Sequence, residues 1–504
     1  MITKIEKKTQ IPTEATLKKI SHSLYIIDEK QKNFPLQSIL QNKLKRIGKK
    51  INDLKKTPIA TELPDGGVIC WVMASDSLNI FQCHTLLRKS LTSIVNEKPN
   101  NISIVCQVED KLSKLWGEAA VYVTLLNTQN LPTYKKDSKN EELKQLTLYG
   151  ANPLIDLNAI SASVVGNTLT RELTITPPNE LTPTIYKNKI KKLAKQNKWK
   201  LQEYSMSKLK KMGAGAFFSV GQGSEPQDAA IINLRYEPKG ATQSIALVGK
   251  GICFDTGGHN LKPAKYMSGM HEDMNGSAVV LGILQAATLA KFPVKLDCWL
   301  AIAQNHIGPK AYKQNDVVQA LNGMTIEVVH TDAEGRMVLA DTLTLASRKK
   351  PKAIIDFATL TGCMHVAMGD RYSGAISNRP ELSCMAIGAG AEAGERIAGF
   401  PYDEDYEEDI ESKIADIKQC NLEGGPDHIH AARFLGRFVE NNVPWLHIDL
   451  SSSNRKGGLG AVSSDVNGFG VNFGLKIIHQ IMKLRVLSLK PSQQPMRQVA
   501  QAKS

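Results

Sequence analysis

The sequence predicts an α/β protein with a smaller N-terminal α/β domain and a C-terminal α/β domain, in which helices cover a central mixed, largely parallel sheet. Three observations lead to this fold class. Short apolar runs alternate with helix-length stretches in the later part of the chain, which is typical of a buried sheet covered by helices. The 504 residues suffice for two or three domains. The first 170 residues differ in pattern from the remainder, and no internal repeat is apparent.

The N-terminal domain is predicted to span residues 1–151. KNFPLQSILQNKLKRIGKK has a helical period, GGVICWVMAS and NISIVCQVE are apolar and typical of strands, and LWGEAAVYVTLLN is a mixed apolar segment. Residues 134–144 are rich in lysine and acids without an apolar period, so we expect a loop there. No catalytic constellation is visible in this domain.

A connecting segment over residues 152–173 leads to the turn-rich ITPPNELTPT, and the catalytic domain is expected over residues 174–490, followed by a flexible tail over 491–504. Its predicted strands are SIALVGKGICF, LDCWLAIAQ, TIEVVHT, AIIDFATLT and PWLHIDLSS. Its predicted helices are GSAVVLGILQAATLAK, MVLADTLTLASRKK, HIHAARFLGRFVEN and VNFGLKIIHQIMK. Ligands of such sheets bind beyond the carboxyl ends of the strands, where the polar clusters of this sequence fall.

Composition excludes several classes of protein. With 42% hydrophobic and 22% charged residues and ordinary glycine and proline contents, the chain is not collagen-like, a coiled coil or wholly disordered. The longest uncharged run, residues 274–290, is short and contains polar side chains, which favours a buried helix over a membrane span. MITKIEKKTQ is not followed by an apolar stretch, so we expect a cytoplasmic protein. The eight cysteines form no CxxC pair and are predicted to be reduced core residues.

The net charge of +14 is concentrated in two segments. Residues 1–60 hold 14 Lys and Arg against five Asp and Glu, and residues 187–211 hold ten Lys against one Glu. Such patches suit nucleic acid or an acidic surface, but a solvated, solubilising face is the simpler interpretation.

Catalytic chemistry is indicated first by residues 249–276, GKGICFDTGGHNLKPAKYMSGMHEDMNG. An apolar strand should carry Lys250 and Asp255 to its end, a glycine-bearing loop leads to Lys262, and Asp273 comes directly before a helix. Taken singly, Asp255 or Asp273 would more often be a helix cap or loop residue than a ligand, and Lys250 could be a surface lysine.

A second segment, HTDAEGRMVLAD, places Asp332, Glu334 and Arg336 at alternate positions before another helix. Residues two apart share a side of a strand but not of a helix, so this spacing needs an extended or irregular backbone. Four carboxylates and three cations from the two segments could therefore converge on one pocket. Crowded carboxylates resist ionisation unless cations neutralise them, and an all-oxygen set without cysteine or HExxH suits Mn²⁺, Mg²⁺ or Zn²⁺ at a two-metal site.

These two segments resemble the leucyl aminopeptidase (cytosol aminopeptidase) family. Its signatures, GKG-x-x-FD-x-GG-x-x-x-KP and NTDAEGR-x-x-LAD, correspond here to GKGICFDTGGHNLKP and HTDAEGRMVLAD. RELTITPPNELTP, MGAGAFFSVGQGSEP, FATLTGCMHVAMGDRYSG and PWLHIDL follow the family's order, and the similarity covers about residues 165–480.

The resemblance implies a metal-dependent hydrolase that removes N-terminal residues from short peptides with a free N-terminus, in peptide catabolism. Two divalent metal ions, Mn or Zn with Mg as an alternative, would activate a water molecule. The matching ligand positions are Lys250, Asp255, Asp273, Asp332 and Glu334. Lys262 would stabilise the oxyanion, and Arg336 would hold a bicarbonate that relays protons. Members of the family assemble as homohexamers without a membrane anchor, and all seven matched positions are present, which disfavours an inactive scaffold.

The pocket for the first side chain of the substrate departs from the family's pattern. Many members have an apolar DIAG segment where this chain reads DLSSSNRKGG. Ser451 and Asn454, beside Met270, Thr359 and Gly362, should therefore make the pocket more polar and weaken a strict preference for leucine.

Four further features have simpler interpretations. His330 replaces the family's usual Asn, with a structural role favoured over tuning of the metal or bicarbonate environment. His428 and His430 open a predicted helix and are expected to pack there, and the acid-rich residues 403–411 are expected to form a solvated loop. GAGAFFSVGQG lacks a nucleotide-binding pattern.

Because some bacterial relatives bind DNA, the lysine-rich patches leave nucleic-acid binding open as a second activity, although no helix-turn-helix is recognisable.

Overall fold

The computed structural model describes residues 3–136 and 142–484. The predicted tail, residues 491–504, and the centre of the predicted loop over residues 134–144 lie outside the described residues.

The N-terminal part of the chain forms one sheet with helices on both sides. Its six strands lie in the order β1-β6-β5-β2-β4-β3, and only the β3–β4 pair is antiparallel. The strands are β1 (Lys4–Lys8), β2 (His22–Asp28), β3 (Ile59–Glu62), β4 (Val68–Ala74), β5 (Asn101–Gln107) and β6 (Gln145–Tyr149). The helices are α1 (Glu14–Lys18), α2 (Gln37–Arg46), α3 (Ile80–Val95) and α4 (Asp110–Asn127), with a 3₁₀ helix over Ile51–Lys55. The mixed apolar segment LWGEAAVYVTLLN is the later part of α4.

The connecting segment is largely helical. Helix α5 (Leu157–Ile175) begins at Asp156, whose side chain accepts hydrogen bonds from the next turn. It packs along a helix of the following domain so closely that a Cβ on Gly166 would stand 2.3 Å from the carbonyl oxygen of Gly282. Glycine is therefore required at this crossing.

The second sheet is mixed and parallel at its centre, as predicted. Its eight strands lie in the order β15-β14-β17-β13-β9-β10-β8-β7, and the β17–β13–β9–β10 pairs are all parallel. The strands are β7 (Lys200–Ser205), β8 (Ala230–Tyr236), β9 (Ser244–Asp255), β10 (Lys295–Asn305), β13 (Ala353–Ala358), β14 (Ser373–Ser377), β15 (Ile397–Gly399) and β17 (Trp445–Asp449). A separate small sheet contains β11 (Val317–Gln319), β12 (Thr325–Glu327) and β16 (Ile417–Lys418).

Helices cover both faces of this central sheet, and two large apolar clusters fill the layers between. All four predicted helices are present, as α10, α11, α14 and α15. The full set is α6 (Pro183–Asn197), α7 (Met206–Met212), α8 (Gly215–Gly221), α9 (Ala264–Met267), α10 (Asn275–Leu289), α11 (Glu334–Ser347), α12 (Gly362–Met368), α13 (Pro380–Ala393), α14 (Asp427–Gly436) and α15 (Val471–Lys483), with 3₁₀ helices over Met270–Met274 and Glu404–Ile410. No helix of the described residues is long and apolar enough to cross a membrane.

One predicted strand of the central sheet is wrong. Of TIEVVHT, only the first three residues form a strand, β12, and it belongs to the small sheet. The backbone amides of Val329 and His330 both donate to the side-chain oxygen of Gln419, at 3.2 and 3.1 Å. Because these amides are bound by a side chain, this stretch leaves strand pairing and runs irregularly into α11.

Most of residues 403–411 are exposed, as expected, but their centre forms a 3₁₀ helix against α14 rather than a loop. Glu407 pairs with Arg433 and Arg437, and Asp409 lies 2.9 Å from the Nε2 atom of His430. Charge pairing thus orders a segment whose composition indicated a loop. His430 is buried in this contact, consistent with the packing role expected for it.

Two surface expectations are refined by the structure. All eight cysteines are free thiols, of which six are buried, Cys363 is half-buried and Cys384 is exposed. In the basic patch over residues 187–211, Lys187 and Lys191 both contact Glu203, at 3.0 and 2.8 Å, so part of its charge is neutralised within the chain.

Candidate active site

Lys250 and Asp255 reach the site from β9. Lys250 lies in the middle of the strand, opposite Ala301, whereas Asp255 is its last residue. The Nζ atom of buried Lys250 lies 2.8 Å from Asp273 Oδ1 and 3.0 Å from Glu334 Oε1, and it donates to the carbonyl oxygen of Thr359 at 2.9 Å. Lys250 is therefore enclosed by acceptors.

The glycine-bearing loop after β9 places the second lysine. Gly257 has a φ of +86°, and a Cβ there would stand 3.0 Å from Asp332 Oδ1, so the loop approaches the second motif directly. Lys262 follows this loop, and its Nζ atom lies 3.0 Å from Asp255 Oδ2 and 2.5 Å from Asp332 Oδ1. The second lysine thus bridges carboxylates of both motifs.

The second motif enters on irregular backbone, as its spacing predicted. Asp332 precedes α11, and Glu334 is the first residue of that helix. The next residue, Gly335, has no side chain to clash with Lys250, since a Cβ there would stand 2.7 Å from Lys250 Cε and 2.8 Å from Nζ. Any larger side chain at this position would require the end of the Lys250 side chain to move from its place in the cluster.

The carboxylates form a buried cluster suited to cations. Asp255, Asp273 and Glu334 each offer an oxygen atom, and these three atoms lie within 4.8 Å of one another. Burial and the neighbouring carboxylates raise the pKa of Asp273 to about 8 and that of Glu334 to about 7. Burial and Asp255 raise the pKa of Asp332 to about 6. The Oδ2 atom of Asp273 is buried without a hydrogen-bond partner in the described structure.

The two lysines respond in the opposite sense. Burial alone would lower their pKa values, but the carboxylates around Lys250 and Lys262 raise both well above the ordinary value. Four carboxylates facing two lysines leave an excess of two negative charges if all are ionised. The carboxylate oxygens carry this excess negative charge, and one of them, Asp273 Oδ2, has no hydrogen-bond partner in the described structure. Such oxygen ligands fit divalent metal ions.

Sequence reasoning missed the residues that fix this cluster. Asn305 ends β10, and its Nδ2 atom donates to Asp255 Oδ1 at 2.8 Å and to the carbonyl oxygen of Thr331 at 3.0 Å. The side-chain Oδ1 atom of Asn260 accepts from the backbone N–H of Thr331 at 2.9 Å, and the backbone N–H of Asn260 donates to the Thr331 hydroxyl at 2.8 Å. Its position could have identified Asn305, because it ends β10, the strand parallel to β9, and functional residues collect at the carboxyl ends of such strands.

Arg336 is buried on α11 and held from two sides. Its Nη2 atom donates to both carboxylate oxygens of Asp427, at 2.9 and 2.8 Å, and its Nη1 atom to the carbonyl oxygen of Gln419 at 3.0 Å. Its Nε atom is buried and has no partner among the described residues. Asp427 outweighs burial and raises the pKa of Arg336.

His330 accepts a hydrogen bond from the backbone amide of Asp332 at 3.3 Å, which is a structural contact. Burial lowers the pKa of His330.

One predicted pocket residue, Thr359, contacts the cluster, and two others, Met270 and Gly362, lie on neighbouring elements. Met270 and Asp273 share the 3₁₀ helix Met270–Met274. The hydroxyl of Thr359 donates to Asp273 Oδ1 at 2.7 Å. Gly362 is the first residue of α12 and follows Thr359 by three positions.

The other two pocket residues have their polar groups engaged. The Ser451 hydroxyl donates to the carbonyl oxygen of Tyr372 at 2.5 Å. Asn454 Nδ2 donates to both carboxylate oxygens of Glu272 at 2.8 Å. The contact with Glu272 ties the loop carrying Asn454 to the 3₁₀ helix that carries Asp273.

Known proteins resemble the chain in sequence and in structure. A model of the cytosol aminopeptidase family, catalytic domain, matches residues 168–474. A probable cytosol aminopeptidase of Stutzerimonas stutzeri is 43% identical over 297 residues, covering 58% of this chain and 59% of the relative. Another, of Rickettsia bellii, is 32% identical over 437 residues, covering 82% and 84%. The match thus spans about three fifths of the first of these relatives.

Solved structures agree with this result. A mutant of tomato leucine aminopeptidase superimposes with a TM-score of 0.81 at 25% identity, covering 95% of this chain and 97% of its own. The bottromycin maturation enzyme BotP in complex with Mn superimposes with a TM-score of 0.80 at 26% identity, covering 92% and 100%. Since the family model matches more than half of the residues and includes both motifs of the site, the chain belongs to the cytosol aminopeptidase family of peptidases.

Proposed function

We propose that the protein is a metal-dependent aminopeptidase that hydrolyses N-terminal residues from short peptides in the cytoplasm. The observation that carries this proposal is the buried cluster of Asp255, Asp273 and Glu334, with the unpartnered Oδ2 atom of Asp273. Family membership supplies the reaction class, and the cluster supplies a place for its metals.

Two divalent metal ions would be held by Lys250, Asp255, Asp273, Asp332 and Glu334. When bound, such ions polarise a carbonyl oxygen and lower the pKa of a water molecule. Mn²⁺ or Zn²⁺, with Mg²⁺ as an alternative, suits these donors, and the similar structure of BotP is a complex with Mn. Because carboxylates raise the pKa of Lys250, its amine carries a proton before loading and must release it to become a ligand.

Lys262 is placed to stabilise developing negative charge. Its ammonium group lies between Asp255 and Asp332 at the opening of the cluster and is only partly enclosed, with 14% of its side chain exposed. A fixed cation at this position can donate a hydrogen bond to the oxyanion formed during attack on the peptide carbonyl, without reorganising at the moment of reaction.

Arg336 is proposed to hold a bicarbonate that accepts and relays the proton of the attacking water. Asp427 and the carbonyl oxygen of Gln419 fix the guanidinium, while its buried Nε atom remains available to an anion. An anion here would supply the base that no free side chain provides among the described residues at the cluster.

We further propose that the chain assembles as a homohexamer. Apolar side chains are exposed on elements next to the site, including Val366 on α12 with 86% exposure and Tyr266 on α9 with 63%. These two side chains are compatible with a subunit contact, but the number of six subunits is proposed from the resemblance to the family. Sedimentation of the metal-loaded protein tests this assembly.

The proposed activity is tested with metal-stripped protein to which Mn²⁺, Zn²⁺ or Mg²⁺ is returned. Aminoacyl-p-nitroanilides and dipeptides are compared with the same substrates carrying blocked N-termini. Metal-dependent release from free but not from blocked N-termini is the expected result. A folded protein with bound metal that hydrolyses none of these substrates would overturn the proposal.

A further inference from the structure

The pocket assigned to the first side chain of the substrate contains a carboxylate that the metal cluster does not use. Glu272 lies on the 3₁₀ helix Met270–Met274, between pocket residue Met270 and cluster residue Asp273. Its side chain extends to the opposite loop, where Asn454 Nδ2 contacts both of its oxygens at 2.8 Å. Glu272 therefore joins the two segments that carry the predicted pocket residues Met270 and Asn454.

Among residues 3–136 and 142–484, no lysine or arginine pairs with this carboxylate. Its direct contact is the amide of Asn454, and the charged or titratable groups that face it are His271 and Asp465. The neighbouring cation Arg455 is directed elsewhere, since it pairs with Asp370. Half-buried carboxylates are costly without a charged partner.

A single amide does not saturate a carboxylate. Each carboxylate accepts about four hydrogen bonds, so Glu272 retains acceptor positions after its two contacts with Asn454. Ser451 cannot fill them, because its hydroxyl is bound to the carbonyl oxygen of Tyr372. The remaining acceptor positions face solvent and can receive a donor from a substrate, and a negative group without a lysine or arginine partner favours a charged donor.

We propose that Glu272, oriented by Asn454, is a specificity-determining residue that receives a basic first side chain, so that the enzyme prefers N-terminal Lys and Arg over Leu. The inference rests on the proposed aminopeptidase function and names its substrate class. An ammonium or guanidinium group would restore charge balance at Glu272, whereas a leucine side chain would desolvate the carboxylate and leave it unpaired.

The test compares kcat/KM for Lys-, Arg- and Leu-p-nitroanilide with the Mn²⁺-loaded full chain. The wild type is expected to favour Lys and Arg over Leu. In Glu272→Gln, the Lys-to-Leu ratio should fall by about 10- to 100-fold, the usual effect of a lost charged hydrogen bond. The matched control Glu408→Gln removes an exposed carboxylate elsewhere and should leave the ratio unchanged. Metal content is measured in every variant, because Asp273 is adjacent to Glu272.

A second variant and a binding measurement keep the test decisive if Glu272→Gln does not fold. Asn454→Met retains the carboxylate but removes the amide that orients it, so the ratio should shift toward Leu. Thermal shift with L-lysinamide and L-leucinamide reports binding without turnover, and the wild type should be stabilised more by L-lysinamide. A wild type that prefers Leu, or a ratio unaffected by both variants, would overturn this inference alone. Absence of hydrolysis of every free N-terminus would instead refute the proposed function.

Discussion

Replacing Asp273 by asparagine should make the metal-free protein less sensitive to pH. The carboxyl group of Asp273 is buried beside Glu334 and Asp255, and its pKa is raised to about 8 from an ordinary 3.8. A raised carboxyl pKa destabilises the folded state at every pH above the ordinary value, because the unfolded chain ionises and the folded chain does not. Stability is therefore lost as pH rises from about 4 to about 8.

The magnitude follows from the pH interval. Over pH 5 to 7.5 the carboxyl is largely protonated in the folded protein and ionised in the unfolded chain, so at about 1.4 kcal/mol per pH unit the cost is on the order of 3 kcal/mol, below a ceiling of about 3.5 kcal/mol. The amide introduced by Asp273→Asn would be uncharged throughout and nearly the same shape as the acid. It retains an oxygen that can accept from Thr359 and from Lys250, which contact Asp273 at 2.7 and 2.8 Å.

The assay is thermal unfolding of chelator-treated protein at pH 5 and at pH 7.5. The difference in stability between wild type and Asp273→Asn should be larger at pH 7.5, in favour of the variant, and shrink at pH 5. The control Asp65→Asn removes an exposed carboxylate of the N-terminal domain and should show no such dependence. Added Mn²⁺ should stabilise the wild type more than Asp273→Asn. A variant that is equally destabilised at both pH values would refute the argument from charge crowding.

Three further substitutions probe the cluster. Lys262→Ala should lower turnover by about 10²- to 10³-fold with metal content retained, and undiminished turnover with normal metal would contradict its oxyanion role. Asn305→Ala frees Asp255 Oδ1 and should weaken metal binding about 10- to 100-fold in competition with a chelating dye, whereas unchanged affinity would show that Asn305 is dispensable. Gly335→Ala would place a Cβ 2.7 Å from Lys250 Cε and should destabilise the fold by about 1–3 kcal/mol in thermal unfolding; an unaltered melting temperature would argue against this tight contact.

The central elements of the fold could be predicted because they bury both faces. Strands β9, β10, β13 and β17 are nearly continuous apolar runs, and α10 is buried along almost its whole length. The edge strands could not be predicted in the same way. Edge strand β15 has only three residues, and β12 leaves the central sheet to pair with β11 and β16 in the small sheet, so neither has the long apolar run that identifies a buried strand.

The candidate site could also be predicted only in part from the sequence. Charged residues in two short motifs predicted a carboxylate cluster, and the structure brings Asp255, Asp273 and Glu334 together. The residues that orient this machinery are distant in sequence. Asn305 reaches Asp255 from 50 positions away and Asp427 reaches Arg336 from 91, so only the packed sheet reveals them. Each is an ordinary polar residue until its partner is known.

Charge balance connects the metal cluster with the choice of substrate. With Lys250 deprotonated as a ligand, four carboxylates and Lys262 leave three negative charges, which two divalent ions would convert to one positive charge before the proposed bicarbonate binds. Such a centre favours a developing oxyanion and disfavours a nearby cationic group. Glu272 lies one residue from the proposed ligand Asp273, yet its side chain contacts Asn454 on a different loop. A basic first side chain could therefore be accommodated beside a positive centre only if a carboxylate such as Glu272 offsets the repulsion, so its neutralisation should penalise Lys and Arg substrates selectively.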